Sequence, residues 1–584
     1  MTNDLILQTD GQWLTFQNPV DVLVASRPDE VTVVLRAVET AVTQHNLYAA
    51  GFITYEAAAA FNLAVHPAHD NLPLLWFGLY RSPTTIHHLP STTNHYRLGQ
   101  WQPSVNWPSY ETAIAHIKAE IAAGNTYQVN YTYNLRTDFQ GDPHGLFADL
   151  AAAQQAEYAA FVETEQFAIC SASPELFFRL DGEVLTGKPM KGTAVRGRTL
   201  AEDQTNITWL HQSEKNRAEN VMIVDMIRND MGRVAQIGSV QVPQLFAVER
   251  YPTVLQMTST VTARTQAPLS EIMAAMFPCA SITGAPKVRT MKIINELEPE
   301  PRGVYTGAIG YIAPNRQAQF NVAIRTVVVD REKGTAVYGV GGGIVWDSEA
   351  ADEYEECRVK TQVLTARRPA FSLLESLLWT PEEGYFLLEA HLRRLCESAE
   401  YFGIGVDETA VRQRLEIGDW RLEIGQSPVS SLQSSQKIRL LVAQNGQITV
   451  EAVPLSQGAL PEPIHIGLTV EPVDSGNIWL YHKTTRREAY EAARTARPDF
   501  DEVILWNERG EITEALTSNI VVELDGQLWT PPVSSGLLAG TFRGELLAQG
   551  QIQERVITLE EFWRSSQVWL INSVRGWRTA VLRH

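Results

Sequence analysis

Four cations stand within eleven residues, Lys188, Lys191, Arg196 and Arg198, in the stretch KPMKGTAVRGR. Pro189 and Gly192 set a turn there. A free lysine amine is neutral only roughly once in 2,500 molecules at pH 7. Neighbouring positive charge disfavours the ammonium, and a lysine so placed becomes a nucleophile. On charge alone the commoner arrangement is a solvated basic loop or a phosphate site. A second group lies at Glu353, Glu356 and Lys360, spaced i, i+3 and i+7, which puts all three on one face of a helix. That face is either a paired-carboxylate site or an exposed Glu–Lys ladder, and spacing alone favours the ladder. Gly341, Gly342 and Gly343 would let backbone N–H groups approach an anion, or would simply make a turn. Lys483 follows His482 in YHKTT and, taken alone, reads as a surface lysine.

These residues need elements to hold them. LRAVETAVTQH predicts a helix. AAGFITYEAAAAF and LPLLWFGLY predict buried strand or strand–helix segments. SYETAIAHIKAEIAAG predicts a helix capped by Ser109, with Glu111 and Glu120 exposed. YQVNYTYNL alternates as a strand, YPTVLQMTSTVTA is β-rich, and EKNRAENVMIVDMIRND predicts a long helix stopped at Gly232. A change of character falls at Arg367-Arg368-Pro369, after which FSLLESLLW begins a fresh strand. RLEIG occurs at Arg414 and again at Arg421, too few copies for a solenoid, and SPVSSLQSSQ predicts an exposed loop.

The chain has 584 residues, which at roughly 100–200 residues per domain predicts two or more domains. Its 44% hydrophobic and 20% charged content fits a globular protein. A formal net charge of −19 weighs against nucleic-acid binding. The first residues carry no basic stretch followed by an apolar core, and no apolar run is long enough to span a bilayer, so a cytoplasmic protein without a membrane segment is expected. Cys170, Cys279, Cys357 and Cys396 are far apart and form no C-x-x-C pair, which predicts reduced thiols rather than a zinc site or disulfides. Cys170 and Cys279 also lack the G-x-C-x-G setting of a glutaminase nucleophile.

The order of blocks is more specific than any one of them. SASPELFF (171–178), the basic loop, EKNRAENVMIVDMIRNDMGR, SITGAPK, RGVYTGAIGY, IRT and GVGGGIVWDSEAADEYEECRVK follow one another. Over about Leu47 to Lys360 the set resembles the chorismate-utilising enzymes: anthranilate, aminodeoxychorismate, isochorismate and salicylate synthases. Two positions separate these reactions. Lys191 matches the lysine of the P-I-K-G-T motif in the aminodeoxychorismate synthases, with Met190 in place of isoleucine; anthranilate synthases have alanine there. Gln128 stands where water-adding members carry a lysine base. The resemblance implies Glu175 as general acid toward the C4 hydroxyl of chorismate and Lys191 as nucleophile at C2, with ammonia entering at C4. It implies Glu219 and Glu356, together with Glu353, as magnesium ligands. Tyr305 and Arg325 would hold the pyruvyl carboxylate. Thr283, Gly284, Gly341, Gly342, Gly343 and Lys360 would bind substrate, and Lys287 is a further candidate. Gln256 replaces a histidine common in the family, and Asn216 replaces an acidic residue found in some members.

After Phe371, the segments LLEAHLRRLCESAEYFGI, YHKTTRREAY, DEVILWNERGEITEALTSNIVV, LLAGTFR and INSVRGW resemble the fold-type IV pyridoxal-phosphate enzymes. These include branched-chain and D-amino-acid aminotransferases and aminodeoxychorismate lyase. The resemblance implies that Lys483 carries the cofactor and moves the proton. It implies that Glu514 pairs with the pyridine nitrogen. Arg394 would take the phosphate, and Thr517, Ser518, Asn519, Gly540 and Thr541 would cradle it. His391 is expected to be structural, and Arg575 is a candidate for a substrate carboxylate.

The expected architecture is an α+β chorismate-utilising domain over residues 1–366, followed by an α/β fold-type IV pyridoxal-phosphate domain over 370–584. The expected activity is synthesis of 4-aminobenzoate for folate. Chorismate and ammonia would give 4-amino-4-deoxychorismate, which then loses pyruvate. Ammonia would come from a separate glutamine amidotransferase subunit, and a homodimer would form through the C-terminal domain. The alternatives are an anthranilate synthase-like first domain, an aminotransferase-like second domain, and a ligand-binding protein with one inactive domain.

Overall fold

The computed structural model describes residues 3–68, 71–87, 89, 95–365, 370–417, 434–456 and 460–583. The junction at 367–369, the second RLEIG copy and most of SPVSSLQSSQ lie outside the described residues. The chain forms two compact units. One comprises Met1–Val195 and Ile207–Arg368; the other comprises Arg196–Asn206 and Pro369–His584. No helix among the described residues is long and apolar enough to cross a membrane.

The first unit is built on an eleven-stranded and a ten-stranded sheet, both dominated by antiparallel pairs. The strand Leu75–Tyr80 shows why they stack. All six of its residues are buried. Leu75, Phe77 and Leu79 face a core shared with the helices Pro28–His45, Glu214–Gly232 and Leu269–Met276. Trp76 and Tyr80 face the opposite way, into a core with Leu5, Phe16 and Ile169 of the other sheet. A strand covered on both faces reads as a continuous apolar run rather than an alternating one. The outer face of the eleven-stranded sheet is closed by Trp107–Ala122, Pro143–Gln154 and Lys287–Leu297.

Two strands of that sheet carry the first site. Gln128–Gly141 pairs with Thr335–Ile344, with Gly341 opposite Thr132 and Gly343 opposite Asn130. Val129, Tyr131 and Tyr133, with Tyr338, Val340 and Ile344, are packed into the core. The period of two therefore sends Gln128, Asn130, Gly339, Gly341 and Gly343 to the other face.

The predicted elements form, with shifted ends. The helix expected to start at Ser109 begins at Trp107, because Asn106 is the cap: its side chain accepts from the Ser109 N–H. Glu120 is not simply exposed, since it pairs with Arg289 at 2.7 Å. The long helix ends at Gly232 as expected.

The second unit has a four-stranded and an eight-stranded sheet. The helix Leu388–Phe402 packs its apolar stripe on the strands Ser372–Thr380 and Gln436–Ala443. The eight-stranded sheet is mixed. Ile464–Leu468 runs parallel to both Glu502–Trp506 and Gly576–Leu582. The segment Arg196–Asn206 is an integral part of this unit. The Arg196 guanidinium donates to the Tyr401 carbonyl at 2.8 Å, and the Tyr401 hydroxyl donates to the Gly197 carbonyl at 2.7 Å. Burial pushes His482 down to about 4, so the ring is neutral, and its Nε2 sits 3.0 Å from the Arg198 carbonyl.

Candidate active sites

In the first unit a cavity of about 170 Å³ gathers Glu175, Lys191, Gln256, Tyr305, Arg325, Gly341, Glu356 and Lys360. Lys191 lies on the strand Met190–Val195. Asn220 donates to its carbonyl at 3.1 Å, and Gln256 donates to the Gly192 carbonyl at 3.0 Å. Gly192 has φ +95°, the left-handed region that a side chain resists. The expected crowd of cations does not surround Lys191. Lys188 pairs with Glu249 at 2.6 Å, while Arg196 and Arg198 belong to the second unit and pair with Asp203 and Glu202. Lys188 ends the strand Val184–Lys188, Lys191 lies on the next strand, and Arg196 and Arg198 lie beyond it, so the four do not share one face. The charges that Lys191 meets instead are the carboxylates of Glu175, Glu353 and Glu356.

Glu175 is buried, its Oε1 has no hydrogen-bond partner, and burial pushes its pKa up to about 7. It can therefore hold a proton near neutrality and release it. Gln128 is fully buried with both amide atoms unpartnered. A Cβ built on Gly343 would lie 2.4 Å from Gln128 Nε2 and 2.6 Å from Lys191 Nζ. The glycine run thus makes room for these side chains. It is the middle of a strand rather than a turn. Pairing with Thr326–Asp330 stops at Tyr338, before the glycine run.

Tyr305 and Arg325 both line the cavity, as expected. Arg325 donates to the Lys360 carbonyl, and Lys360 in turn donates to the Gly341 carbonyl at 2.8 Å and pairs with Glu356 at 2.7 Å. That contact with Lys360 holds Glu356 below the usual carboxylate range, while burial and the charge of Glu356 push Glu353 up. Two carboxylates on the helix Ala350–Thr361 that repel one another fit part of a hard-cation shell. Glu219 does not complete it: among the described residues no three acidic, histidine or cysteine side chains converge on one point.

The loop before the helix Lys287–Leu297 departs from expectation. Ser281 and Ile282 form the cavity wall. The Thr283 hydroxyl is turned back to the carbonyls of Cys279 and Ala280, and Gly284 pairs with Val129. Lys287 is bound to Asp230 at 2.6 Å, away from the cavity. Sequence reasoning also missed Arg302. It is buried, bidentate to Glu298, and donates to the carbonyls of Ile282 and Asn130, so it ties the site loop to the site strand. The block RGVYTG contains it, but only the fold reveals its partners.

In the second unit a larger cavity of about 520 Å³ collects Lys483, Glu514, Arg394, Thr517, Ser518, Asn519, Gly540 and Thr541. The Lys483 carbonyl accepts from Leu374 N–H, which fixes its backbone to the edge of the four-stranded sheet. Burial, then the Arg394 charge, pushes the Lys483 amine down to about 8. Glu514 accepts from the Tyr490 hydroxyl, the Leu538 N–H and Asn519, and burial pushes it up to about 7. Arg394 is bidentate to Glu375 and also donates to the Ala539 carbonyl. His391, structural as expected, bridges Glu375 and Thr541. A Cβ on Gly540 would fall 1.9 Å from Asn519 Oδ1, and Gly540 opens the helix Thr541–Ala548. A helix start beside a fixed arginine is suited to a phosphate. A lysine, a buried carboxylate and that cradle fit pyridoxal phosphate. Thr517 and Ser518 are occupied in part by protein: Thr517 donates to Glu502, and Ser518 accepts from Asn572 and Arg578. Glu375, Arg487 and Tyr490 carried no signal in the sequence that singled them out.

Residues 3–366 match the model of the chorismate binding enzymes. The chain belongs to that family. This chorismate binding enzyme also matches, over residues 372–581, the class IV amino-transferase model. Its second unit has the fold-type IV architecture. Among curated relatives, it is 46% identical over 258 residues to an aminodeoxychorismate synthase of Streptomyces griseus, covering 44% of this chain and 35% of that protein. It is 41% identical to aminodeoxychorismate synthase component 1 of Escherichia coli, covering 44% of this chain and 56% of the relative. The chain thus spans only about a third to a half of the length of these two. The crystal structure of anthranilate synthase component I from Streptococcus pneumoniae aligns with TM-score 0.53 at 23% identity, covering 62% of this chain and 92% of that one, and shares the fold.

Proposed function

We propose that this chorismate binding enzyme makes 4-aminobenzoate in two steps: amination of chorismate in the first unit, then release of pyruvate in the second. The observation that carries the first step is the buried Glu175, protonatable near pH 7, in one cavity with the Lys191 amine. In this reading Lys191 attacks C2 of the ring, both conjugated ring double bonds shift, and the C4 hydroxyl leaves as water with the Glu175 proton. Ammonia then bonds to C4, both double bonds shift back, and the C2–N bond to Lys191 breaks. Tyr305 and Arg325 hold the pyruvyl carboxylate. Glu353 and Glu356 would hold a magnesium ion, which would supply positive charge to offset a substrate carboxylate. Gln128, an amide rather than an amine, has no basic group to activate water. Ammonia is supplied by a separate glutamine amidotransferase, in keeping with relatives named as component 1.

In the second unit Lys483, Glu514, Arg394, Gly540 and Thr541 would hold pyridoxal phosphate, which when bound supplies an electron sink. Lys483 moves the proton, and its amine, held near pKa 8, can do so in either direction near neutral pH. Glu514 fixes the protonated ring nitrogen, and Arg394 is held rigid by Glu375. We assign a lyase rather than an aminotransferase because the first unit makes the amine that a lyase consumes. The test is Lys191→Ala with chromatography of products from chorismate, ammonium and magnesium. The expected result is loss or redirection of amination, while pyruvate release from supplied 4-amino-4-deoxychorismate continues. Unchanged synthesis removes the nucleophile, and anthranilate as sole wild-type product overturns the reading.

A further inference from the structure

The cavity of Lys483 holds more positive charge than a cofactor phosphate needs. Beyond Arg394 it is lined by Lys437, Arg439, Arg487, Arg575 and Arg578. Three carboxylates, Glu514, Glu502 and Asp501, share the cavity with these cations and are outnumbered by them; Glu514 faces Lys483 and Arg487, and Glu502 faces Arg494 and Arg578. Arg578 is satisfied in part by Ser518, and Arg439 leans toward Glu451 at 3.7 Å.

Lys437 stands apart. It is half-buried, and among the described residues no carboxylate lies within ion-pair distance of its amine. Burial and then the charges of Arg575, Arg439 and Arg487 push its pKa down. A half-buried ammonium facing only other cations is unfavourable until an anion enters. Its position is set by the sheet. Ile438, Leu440 and Val442 face the core, so Lys437 and Arg439 point to the other face and line the cavity. Leu441 is opposite Leu374, whose N–H donates to the Lys483 carbonyl, and Leu378 is opposite Lys437. Lys437 is thus four residues along the strand from the level of Lys483, roughly 13 Å at 3.3 Å per residue. Arg575 comes from the turn after Gln567–Asn572, where Asn572 Oδ1 accepts from the N–H groups of Val574 and Arg575 and holds the turn.

We propose that Lys437 and Arg575 form a carboxylate subsite in this cavity, which selects amines bearing a carboxylate remote from the nitrogen over ordinary amino acids. The inference rests on the reading that the cavity receives an amine at Lys483, and it adds which residues recognise the far end of that amine. A carboxylate there makes charge-assisted hydrogen bonds to two cations that otherwise repel one another.

The test compares two probes of one shape, 4-aminobenzoate and 4-aminobenzamide, titrated calorimetrically into the full-length protein loaded with pyridoxal phosphate. The wild type is expected to bind the carboxylate at least tenfold more tightly than the amide. Lys437→Met is expected to reduce that ratio to threefold or less with little change in amide affinity, and Lys437→Arg to restore it. Should Lys437→Met lose its cofactor absorbance, Arg575→Met serves as the second variant. Equal binding of both probes by the wild type, binding of neither, or an unchanged ratio in the variants overturns the subsite. Pyruvate release from supplied 4-amino-4-deoxychorismate is measured separately. Its absence in the wild type would remove the lyase reading, while the subsite is judged on the ratio alone.

Discussion

Each cavity holds a lysine with a proposed chemical role, and the two live in different surroundings. Lys191 faces the carboxylates of Glu175, Glu353 and Glu356; Lys483 is desolvated by burial, with Arg394 and Arg487 set against Glu375 and Glu514. The second arrangement gives a lysine that is partly neutral near pH 8 and ready to hold an aldehyde cofactor. The first puts proton donors and cation-binding carboxylates around an amine, which suits a step in which a hydroxyl must leave with a proton. In the proposed reading both cavities take anions, the first beside Arg325 and Tyr305, the second among several cationic side chains. Reactive lysines are therefore recognised by what they face in the fold, and a basic stretch of sequence is a poor guide to it.

The contrast can be broken at either end. The largest effect is expected for Lys483→Ala, which should lower pyruvate release by at least ~10³-fold, since it removes both the anchor and the proton carrier. Chorismate amination should persist, with 4-amino-4-deoxychorismate accumulating on chromatography. If amination is lost too, the two lysines do not serve separate steps.

Glu175→Gln comes next, with a fall of ~10²- to 10⁴-fold in amination, the usual range for removing a general acid. In the wild type the rate should decline as pH rises past about 7, as the acid loses its proton. The stability contribution changes with pH in the same direction. The folded-state pKa is raised above the ordinary 4.5, so the contribution of Glu175 is fully present below pH 4.5 and lost as pH climbs through about 7. Glu175→Gln should therefore melt at a higher temperature than wild type at pH 8–9 and near the wild-type temperature at pH 5. A variant less stable at pH 8 would show that the carboxylate is stabilised by something other than its proton.

Arg302→Met sharpens the first half of the comparison, because it leaves Glu298 buried without its ion-pair partner. A loss of about 3–5 kcal/mol in denaturant unfolding of the first unit is expected. Arg487→Met probes the second half. It removes one cation near Lys483, so the pH midpoint for cofactor reloading, expected near 8 in wild type, should move upward. The smallest effect, about 1 kcal/mol, is expected for Asn106→Ala, which deletes a helix cap remote from both lysines.

Much of the architecture was legible in the chain. The long helix ending at Gly232, the alternating strand from Gln128 and the fresh strand after Phe371 follow from period and punctuation. So did the gathering of Glu175, Lys191, Tyr305, Arg325, Glu356 and Lys360, because the order of blocks carried them together. What local pattern could not carry was direction. The cations of KPMKGTAVRGR are split between two strands and the segment after them, where Lys188, Arg196 and Arg198 each find their own carboxylate, and Thr283 and Lys287 turn inward to satisfy a loop and a buried aspartate. Arg302, Glu375 and Lys437 depend on neighbours brought in by other elements: the Asn130 carbonyl for Arg302, the helix carrying His391 and Arg394 for Glu375, and Arg487 and Arg575 for Lys437.

The segment Arg196–Asn206 bears on how this polypeptide can be divided. It sits within the stretch of sequence matched to the chorismate binding enzymes, yet its carbonyls and guanidinium groups are among the hydrogen-bond partners of Tyr401, Tyr481 and His482. No single cut of the chain yields two complete halves. Severing it near residue 368 would leave the C-terminal piece without eleven residues, 196–206, that belong to its own unit.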